Sequence, residues 1–203
     1  FQADPGAPVF YKFESFPVQF SVLMGSMKEA KARMAELAEF AAKTPFAMEE
    51  TVVASRQLHV FSNGAMGAME SLKLVGDAAA AVGQPIKDVA FWIGRAYSMI
   101  KGGQPFGEAA MRLQEMGIVT PEVRRQMEEL QEAGASNIEV WQVLEKRLAE
   151  FKGGMEKLST TGDGLTATLQ DNWTAAVRTF GEAFQDVAKN AIKKLSDKLE
   201  QLE

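Results

Sequence analysis

Apolar residues recur every three or four positions along most of the chain, the spacing that places them on one face of an α-helix. The pattern becomes clear at Ser26, which stands with Glu29 at the spacing of a capping box. Breaks rich in glycine, proline or serine separate the helical stretches. These breaks read TPF, SNGAMG, KGGQPFG, KGGM and STTGDG. The sequence therefore predicts an all-α fold, with a bundle of short helices over residues 26–158.

The first 25 residues depart from this helical spacing. Apolar residues occupy every second position from Phe16 to Val22, and such alternation favours a strand. Pro17 would confine the strand to a sheet edge or to its first residues, because proline has no backbone N–H to donate. Residues 1–25 are therefore predicted to form a short strand or an otherwise extended or irregular segment.

Several helix starts can be read from cap residues. Thr44 and Pro45 stop the helix that precedes them and offer a cap and a first-turn proline for the helix that follows. Thr120 stands before another proline in the same way. Ser136 and Glu139 have the spacing of a second capping box. These signals predict helix starts close to each of the three positions.

The end of the chain carries its most regular pattern. From Leu169 to Leu202 apolar residues follow steps of four, four and three, an 11-residue repeat over three helical turns. Residues 159–203 are therefore predicted to form one long amphipathic helix, which at ~1.5 Å per residue would reach on the order of 60 Å. A bundle of this size is too short to cover that stripe, so we expect self-association or a partner helix. The predicted contact residues are Trp173, Val177, Phe180, Phe184, Leu195 and Leu199.

Composition narrows the classes of function. The chain has 203 residues, 46% of them hydrophobic and 24% charged, as in ordinary soluble globular proteins. Its net charge of −5, with basic residues scattered among acidic ones, argues against nucleic-acid binding by a basic surface. The longest apolar stretch, DVAFWIGRAYSMI, is interrupted by Arg95 and is too short to span a bilayer. We expect no signal peptide and no membrane segment, and because the chain starts at Phe1 without methionine we expect a piece of a longer polypeptide.

The chain has few residues with which to do chemistry. It has no cysteine and a single histidine, His59, and no G-x-S-x-G, P-loop or strand-borne G-x-G-x-x-G motif. His59 lies off the apolar face of its helix, three residues after Arg56, so a solvated surface position is predicted. Asp163 in TTGDG lacks the further oxygen ligands of a calcium loop. The sequence predicts no catalytic residue, no metal site and no cofactor.

Methionine and tryptophan supply the remaining candidate contact residues. The chain has 11 methionines, a residue type that fills irregular cores and also coats adaptable binding surfaces. Five of them fall on predicted core faces, namely Met24, Met34, Met99, Met111 and Met127. Trp92 and Trp141 are predicted to anchor helix packing. For Trp173, a core position and a partner contact remain equally open.

Five stretches, in order and at their spacing, resemble the tail-length tape measure protein of tailed phages and prophages. They are LMGSMKEAKARMAELAEFAAKTPF, VVASRQLHVF, LVGDAAAAVGQPI, GRAYSMIKGGQPFGEAAMRLQEMGI and MEKLSTTGDGLTATLQDNWTAAVRTFGEAF. The resemblance covers roughly Phe20 to Phe184. It implies a structural protein of the virion tail, assembled in the host cytoplasm. In that family an extended helical chain lies along the tail axis, tail-tube subunits polymerise around it, and its length sets tail length.

Two other functions stay open from the sequence. A generic helical adaptor or secretion-type interaction protein would show the same helical spacing. An enzyme is the other rival, since some tape measure proteins carry peptidoglycan-cleaving domains. This chain has neither the glutamate context nor the zinc-ligand set that such a domain needs, so we expect no enzyme activity.

Overall fold

The computed structural model describes residues 10–159, which form helices joined by turns, with no strand in that range. The all-α prediction is therefore confirmed for this part of the chain. It divides into two compact units, residues 10–52 and residues 53–159, called here unit 1 and unit 2. Within the same residues, every helix is too short or too polar to cross a bilayer.

The helices are α1 Phe10–Met24, α2 Met27–Lys43, α3 Met48–Phe61, α4 Met69–Val82, α5 Ile86–Lys101, α6 Gly107–Glu115, α7 Pro121–Glu132, α8 Asn137–Ala149 and α9 Gly154–Ser159.

The strand predicted near the N-terminus is wrong, because α1 is a helix that runs through Pro17. Phe16 and Phe20, one helical turn apart, are only 6% and 1% exposed. Val18 and Val22, also one turn apart, are 54% and 78% exposed. An alternating run this short also contains two i, i+4 pairs, and burial of the aromatic pair selects the helix. That burial outweighs the backbone hydrogen bond that proline removes.

A tight turn joins α1 to α2. Gly25 adopts φ +72°, a left-handed conformation that glycine reaches without a Cβ penalty. Ser26 then caps α2, as its sequence predicts, because its hydroxyl accepts a hydrogen bond from the Glu29 backbone N–H at 3.2 Å. The predicted apolar face of α2 is buried. Its residues are Ala30, Met34, Leu37, Phe40 and Ala41.

The predicted start of α3 at Thr44 and Pro45 is wrong, since α3 begins at Met48. The predicted end of α2 at this pair is confirmed, because Thr44 ends α2 with the extended angles φ −130° and ψ 165°. Steric conflict with a following proline disfavours helical angles, so Pro45 stops α2 at Thr44. The Thr44 hydroxyl is buried without a hydrogen-bond partner and caps nothing. Thr51 N–H donates to Ala47 O at 3.0 Å, which opens the new helix.

Unit 2 is built on α4 and α5. α4 packs against α5, α8 and α9, α5 packs against α6 and α8, and α7 packs against α6 and α8. Burial of each large aliphatic or aromatic side chain contributes about 1.5–3 kcal/mol relative to exposure. The largest fully buried side chains of this unit are Leu58, Leu72, Ile86, Ile93, Ile100, Phe106, Leu113, Ile118 and Met127.

The caps predicted for α7 and α8 are confirmed. The Thr120 hydroxyl accepts from Val123 N–H at 3.3 Å. At α8, the Ser136 hydroxyl accepts from Glu139 N–H at 3.3 Å, and the Glu139 carboxylate accepts from Ser136 N–H at 2.9 Å. The Ser136 hydroxyl also donates to the Glu139 carboxylate at 2.7 Å. This bond first, and the one from the Ser136 backbone N–H second, hold the pKa of Glu139 below its usual value.

Two side chains of α8 also donate to backbone carbonyls at or just after the ends of other helices. Arg147 donates from Nε to the Ile118 carbonyl at 2.8 Å, just after α6. Asn137 donates to the Lys101 carbonyl, the last residue of α5, at 3.1 Å. Terminal helix carbonyls have no partner within their own helix, so the bond from Asn137 satisfies that of Lys101. Together with the bond to Ile118, it fixes the position of α8 within unit 2.

The last described helix, α9, is held on α4 by Asp77. The Asp77 carboxylate accepts from Gly153 N–H at 3.1 Å and from Met155 N–H at 3.0 Å. Between these two residues, a Cβ on Gly154 would lie 2.3 Å from the Asp77 backbone carbonyl oxygen. α4 and α9 therefore touch backbone to backbone, and unit 2 fixes the chain just before the segment predicted as the long helix.

Candidate interaction surface

The residues that the sequence singles out for partner binding lie outside the part of the chain that the structure describes. These are Trp173, Val177, Phe180, Phe184, Leu195 and Leu199. The same holds for the predicted long helix over residues 159–203, apart from Ser159. The predicted stripe therefore stays a prediction, and a candidate surface has to be sought within residues 10–159.

Trp92 on α5 ends a row of three aromatic rings in unit 2. Phe61 and Phe91 meet edge to face with ring centroids 5.3 Å apart, and Phe91 meets Trp92 in the same way at 5.0 Å. Such edge-to-face pairs stabilise beyond the area they bury. Gly94 makes room for the row, because a Cβ there would lie 3.0 Å from the Phe61 ring. Trp92 itself remains half-buried.

Two arginines lie against the Trp92 ring. The guanidinium carbons of Arg95 and Arg112 are 5.6 and 5.9 Å from the ring centroid, within the range of cation–π attraction. Arg95 pairs with Glu108 at 2.9 Å and Arg112 pairs with Glu115 at 2.8 Å. All four charged side chains are more than a third exposed, so each pair contributes little to stability. The carboxylates orient the guanidinium groups beside the tryptophan.

We call Trp92, Arg95 and Arg112 the Trp92 surface, and the residue before Arg112 on α6 is Met111. Met111 is 39% exposed next to Arg112, which corrects its predicted core position. Partly exposed tryptophan, arginine and methionine side chains are the residue types enriched in protein–protein interfaces. The Trp92 surface is therefore the candidate interaction surface of the described residues.

The sequence assigned Trp92 to internal packing alone and missed this surface. One signal was present, since Arg95 interrupts the longest apolar stretch one turn after Trp92. The second arginine is supplied by a different helix, α6, and local spacing does not reveal it. Trp141 does anchor packing as predicted, because it is 8% exposed and meets Tyr97 edge to face at 4.8 Å.

The other predicted core methionines divide by helix position. Met34 and Met127 are each 1% exposed, which confirms those two predictions. Met24 and Met99 are only half-buried. Met24 is the last residue of α1. Met99 directly precedes Ile100, which is 1% exposed, so the face of α5 on which Met99 lies decides its partial exposure.

His59 is half-buried, which corrects its predicted solvated position. The turn after α3 folds back over it, and a Cβ on Gly67 would lie 2.6 Å from His59 Nδ1. The Ser62 hydroxyl fixes this turn by donating to the Leu58 carbonyl at 2.6 Å and accepting from Met66 N–H at 2.7 Å. His59 therefore packs against the turn.

Nothing in the described range gathers ligands for a metal ion: no three histidine, aspartate or glutamate side chains come together there. In comparisons of the whole chain with known proteins, no protein-family model, no curated protein and no solved structure matches it.

Proposed function

We propose that this chain is a helical region of a phage or prophage tail tape measure protein. In this role it helps to set tail length and to scaffold assembly of the tail tube. The observation that carries the proposal is the order and spacing of the five sequence stretches from LMGSMKEAKARM to WTAAVRTFGEAF. The first four stretches lie in α1 to α6 and the turns between them. Such a ruler is expected to be helical, and this agreement supports the proposal.

The physical basis of the role is the constant rise of a helix. Each helical residue adds ~1.5 Å, so chain length translates directly into distance along an axis. The 11-residue repeat of Leu169–Leu202 suits this role, since three helical turns bring the apolar stripe back to the same side. The folded units before it serve as contact modules for tail-assembly proteins, and the Trp92 surface is a suitable place for such a contact.

Tail length in the virus that encodes the parent protein tests this role. Insertion of two further 11-residue repeats within Leu169–Leu202 adds 22 residues, which should lengthen tails by ~33 Å. Electron micrographs of intact particles provide the measurement. A control insertion of 22 glycine and serine residues at the same place lacks the apolar stripe and is not expected to form helix. Intact tails of unaltered length with the repeat insertion contradict the ruler role and favour the adaptor alternative.

The apolar stripe is expected to join copies of the chain or to bind tail components. Phe184→Asp and Leu195→Asp should each abolish any oligomer, because each puts a charge where about 1.5–3 kcal/mol of apolar burial is gained per contact. Light scattering measures the mass, and circular dichroism verifies that the helices of residues 10–159 remain folded.

Gln185→Asp is the matched control for Phe184→Asp. It adds the same charge one residue away, off the predicted stripe, and should leave the mass unchanged. If Phe184→Asp and Leu195→Asp have the same mass as the unaltered chain, the result counts against assembly through the stripe.

A peptidoglycan zymogram tests the enzyme alternative, and an absence of clearing would count against it.

A further inference from the structure

The turn after α3 contains the only Asn-Gly pair of the sequence, Asn63 and Gly64. Asparagine is a chemically labile residue, and it loses its side-chain amide most readily before glycine, which has no Cβ to hinder its own backbone nitrogen. In this deamidation the glycine nitrogen attacks the asparagine Cγ and closes a succinimide ring. The Cγ–Nδ2 bond breaks, and the amide proton of the glycine leaves with Nδ2 as ammonia. Water then opens the ring at either carbonyl, which gives aspartate or isoaspartate.

The fold holds the attacking nitrogen of this pair in a hydrogen bond. Gly64 N–H donates to the His59 carbonyl at 2.8 Å, and Asn63 N–H donates to the Val60 carbonyl at 3.3 Å. Asn63 itself has the left-handed angle φ +51°. These are the features of a Schellman motif, which ends a helix with one residue in the left-handed conformation. The Gly64 nitrogen therefore keeps its proton and stays bound to α3, although the Asn63 side chain is exposed to water.

Further contacts keep the turn closed on α3. The Ser62 hydroxyl, in a residue only 7% exposed, bonds the Leu58 carbonyl on one side and Met66 N–H on the other. Gly67 N–H donates to the Gly64 carbonyl at 2.9 Å, where the His59 ring lies against the turn. Release of the Gly64 nitrogen therefore requires the turn to open and to break several of these bonds together.

We propose that Asn63 is a deamidation site that the closed turn protects and that reacts when the turn opens away from α3. Opening frees the Gly64 nitrogen from the His59 carbonyl, and the exposed Asn63 side chain then meets it. The modification is irreversible. Isoaspartate adds a methylene group to the backbone at position 63, so the two Schellman bonds no longer have their spacing. This site does not depend on the ruler role, because its chemistry involves residues of the turn alone.

Mass spectrometry of the tryptic peptide Gln57–Lys73 measures the reaction, since deamidation replaces an amide by a carboxyl group. The folded chain and the same chain unfolded in urea are incubated at one mildly alkaline pH. Deamidation of Asn63 should be at least about tenfold slower in the folded chain, because opening of a hydrogen-bonded segment is unfavourable. Equal rates in the two states overturn the proposal.

Ser62→Ala tests whether the turn controls the rate. It removes both hydrogen bonds of the hydroxyl and leaves Met66 N–H without its acceptor, so deamidation in the folded chain should accelerate about tenfold. In urea, where the turn is absent, the variant should react as fast as the unaltered chain. Circular dichroism verifies that the variant is folded. A folded Ser62→Ala variant that reacts no faster than the unaltered chain overturns the proposal.

Ile118→Val is the matched control, because it removes one buried methyl group from unit 2 and none of the bonds of the turn. Its deamidation rate should equal that of the unaltered chain. An acceleration as large as that of Ser62→Ala would show that Asn63 reacts through unfolding of the whole unit, which overturns the proposal.

If Ser62→Ala does not fold, Gly67→Ala takes its place. A Cβ there would lie 2.6 Å from His59 Nδ1 and 3.0 Å from the Gly64 carbonyl oxygen, so it presses the turn open. Faster deamidation than in the unaltered folded chain supports the proposal, and an unchanged rate overturns it.

Discussion

Replacement of Gly154 by alanine should detach α9 from α4 and lower the free energy of unfolding of unit 2 by about 1–3 kcal/mol. The new Cβ would lie 2.3 Å from the Asp77 carbonyl oxygen and 3.2 Å from its carbonyl carbon. Both atoms belong to the backbone of α4, which cannot rotate away as a side chain can. α9 must therefore move, and its movement breaks the hydrogen bonds from Gly153 and Met155 to Asp77.

Urea unfolding followed by circular dichroism measures the loss, and hydrogen exchange of the α9 amides locates it. Gly107→Ala is the matched control, because Gly107 opens α6 and no heavy atom lies within 4 Å of a Cβ there. That substitution should leave the free energy of unfolding unchanged or raise it by up to about 1 kcal/mol, because alanine lowers the conformational entropy of the unfolded chain. Equal stabilities of the two variants would contradict the close approach of α9 and α4.

Asp77→Ala separates the hydrogen bonds from the steric contact. It removes the carboxylate that accepts from Gly153 and Met155 and creates no clash. The combination with Gly154→Ala should cost less than the sum of the two single changes, since both break the same contact. Additive losses would indicate that the carboxylate and the close approach act independently.

The parts of the fold that the sequence predicted well depend on neighbours in the chain. Ser26, Thr120 and Ser136 cap α2, α7 and α8 because a cap needs only a side-chain oxygen and an N–H three residues later. The apolar face of α2 follows from the helical period alone. Such signals are complete within one or two turns, so reading the sequence is enough to find them.

The contacts that the sequence did not predict join residues far apart. Asp77 meets Gly153 and Met155 across 76 and 78 positions, and nothing near Asp77 marks it as an acceptor. Arg112 reaches Trp92 from the next helix along the chain. The candidate surface therefore became visible only once α5 and α6 were packed together.

The N-terminal segment was misassigned because its apolar residues fit both the period of a strand and that of a helix. The apolar residues from Phe16 to Val22 satisfy a period of two, while Phe16 with Phe20 also satisfies one helical turn. Local spacing does not rank these alternatives, and Pro17 argued against the helix. Packing against α2 decides it, because the aromatic pair alone reaches the interior.

Phe20→Ala should therefore destabilise unit 1 by about 3–5 kcal/mol, whereas Val22→Ala should change its stability by less than about 0.5 kcal/mol. Phe20 is 1% exposed, so its truncation leaves a cavity beside α2, while Val22 is 78% exposed and loses almost no packing. Alanine also favours a helix slightly over valine, so Val22→Ala should be neutral or mildly stabilising. Hydrogen exchange of the α1 and α2 amides under increasing urea measures both effects. In a strand the two residues would share one face, so similar losses at Phe20 and Val22 would contradict the helix.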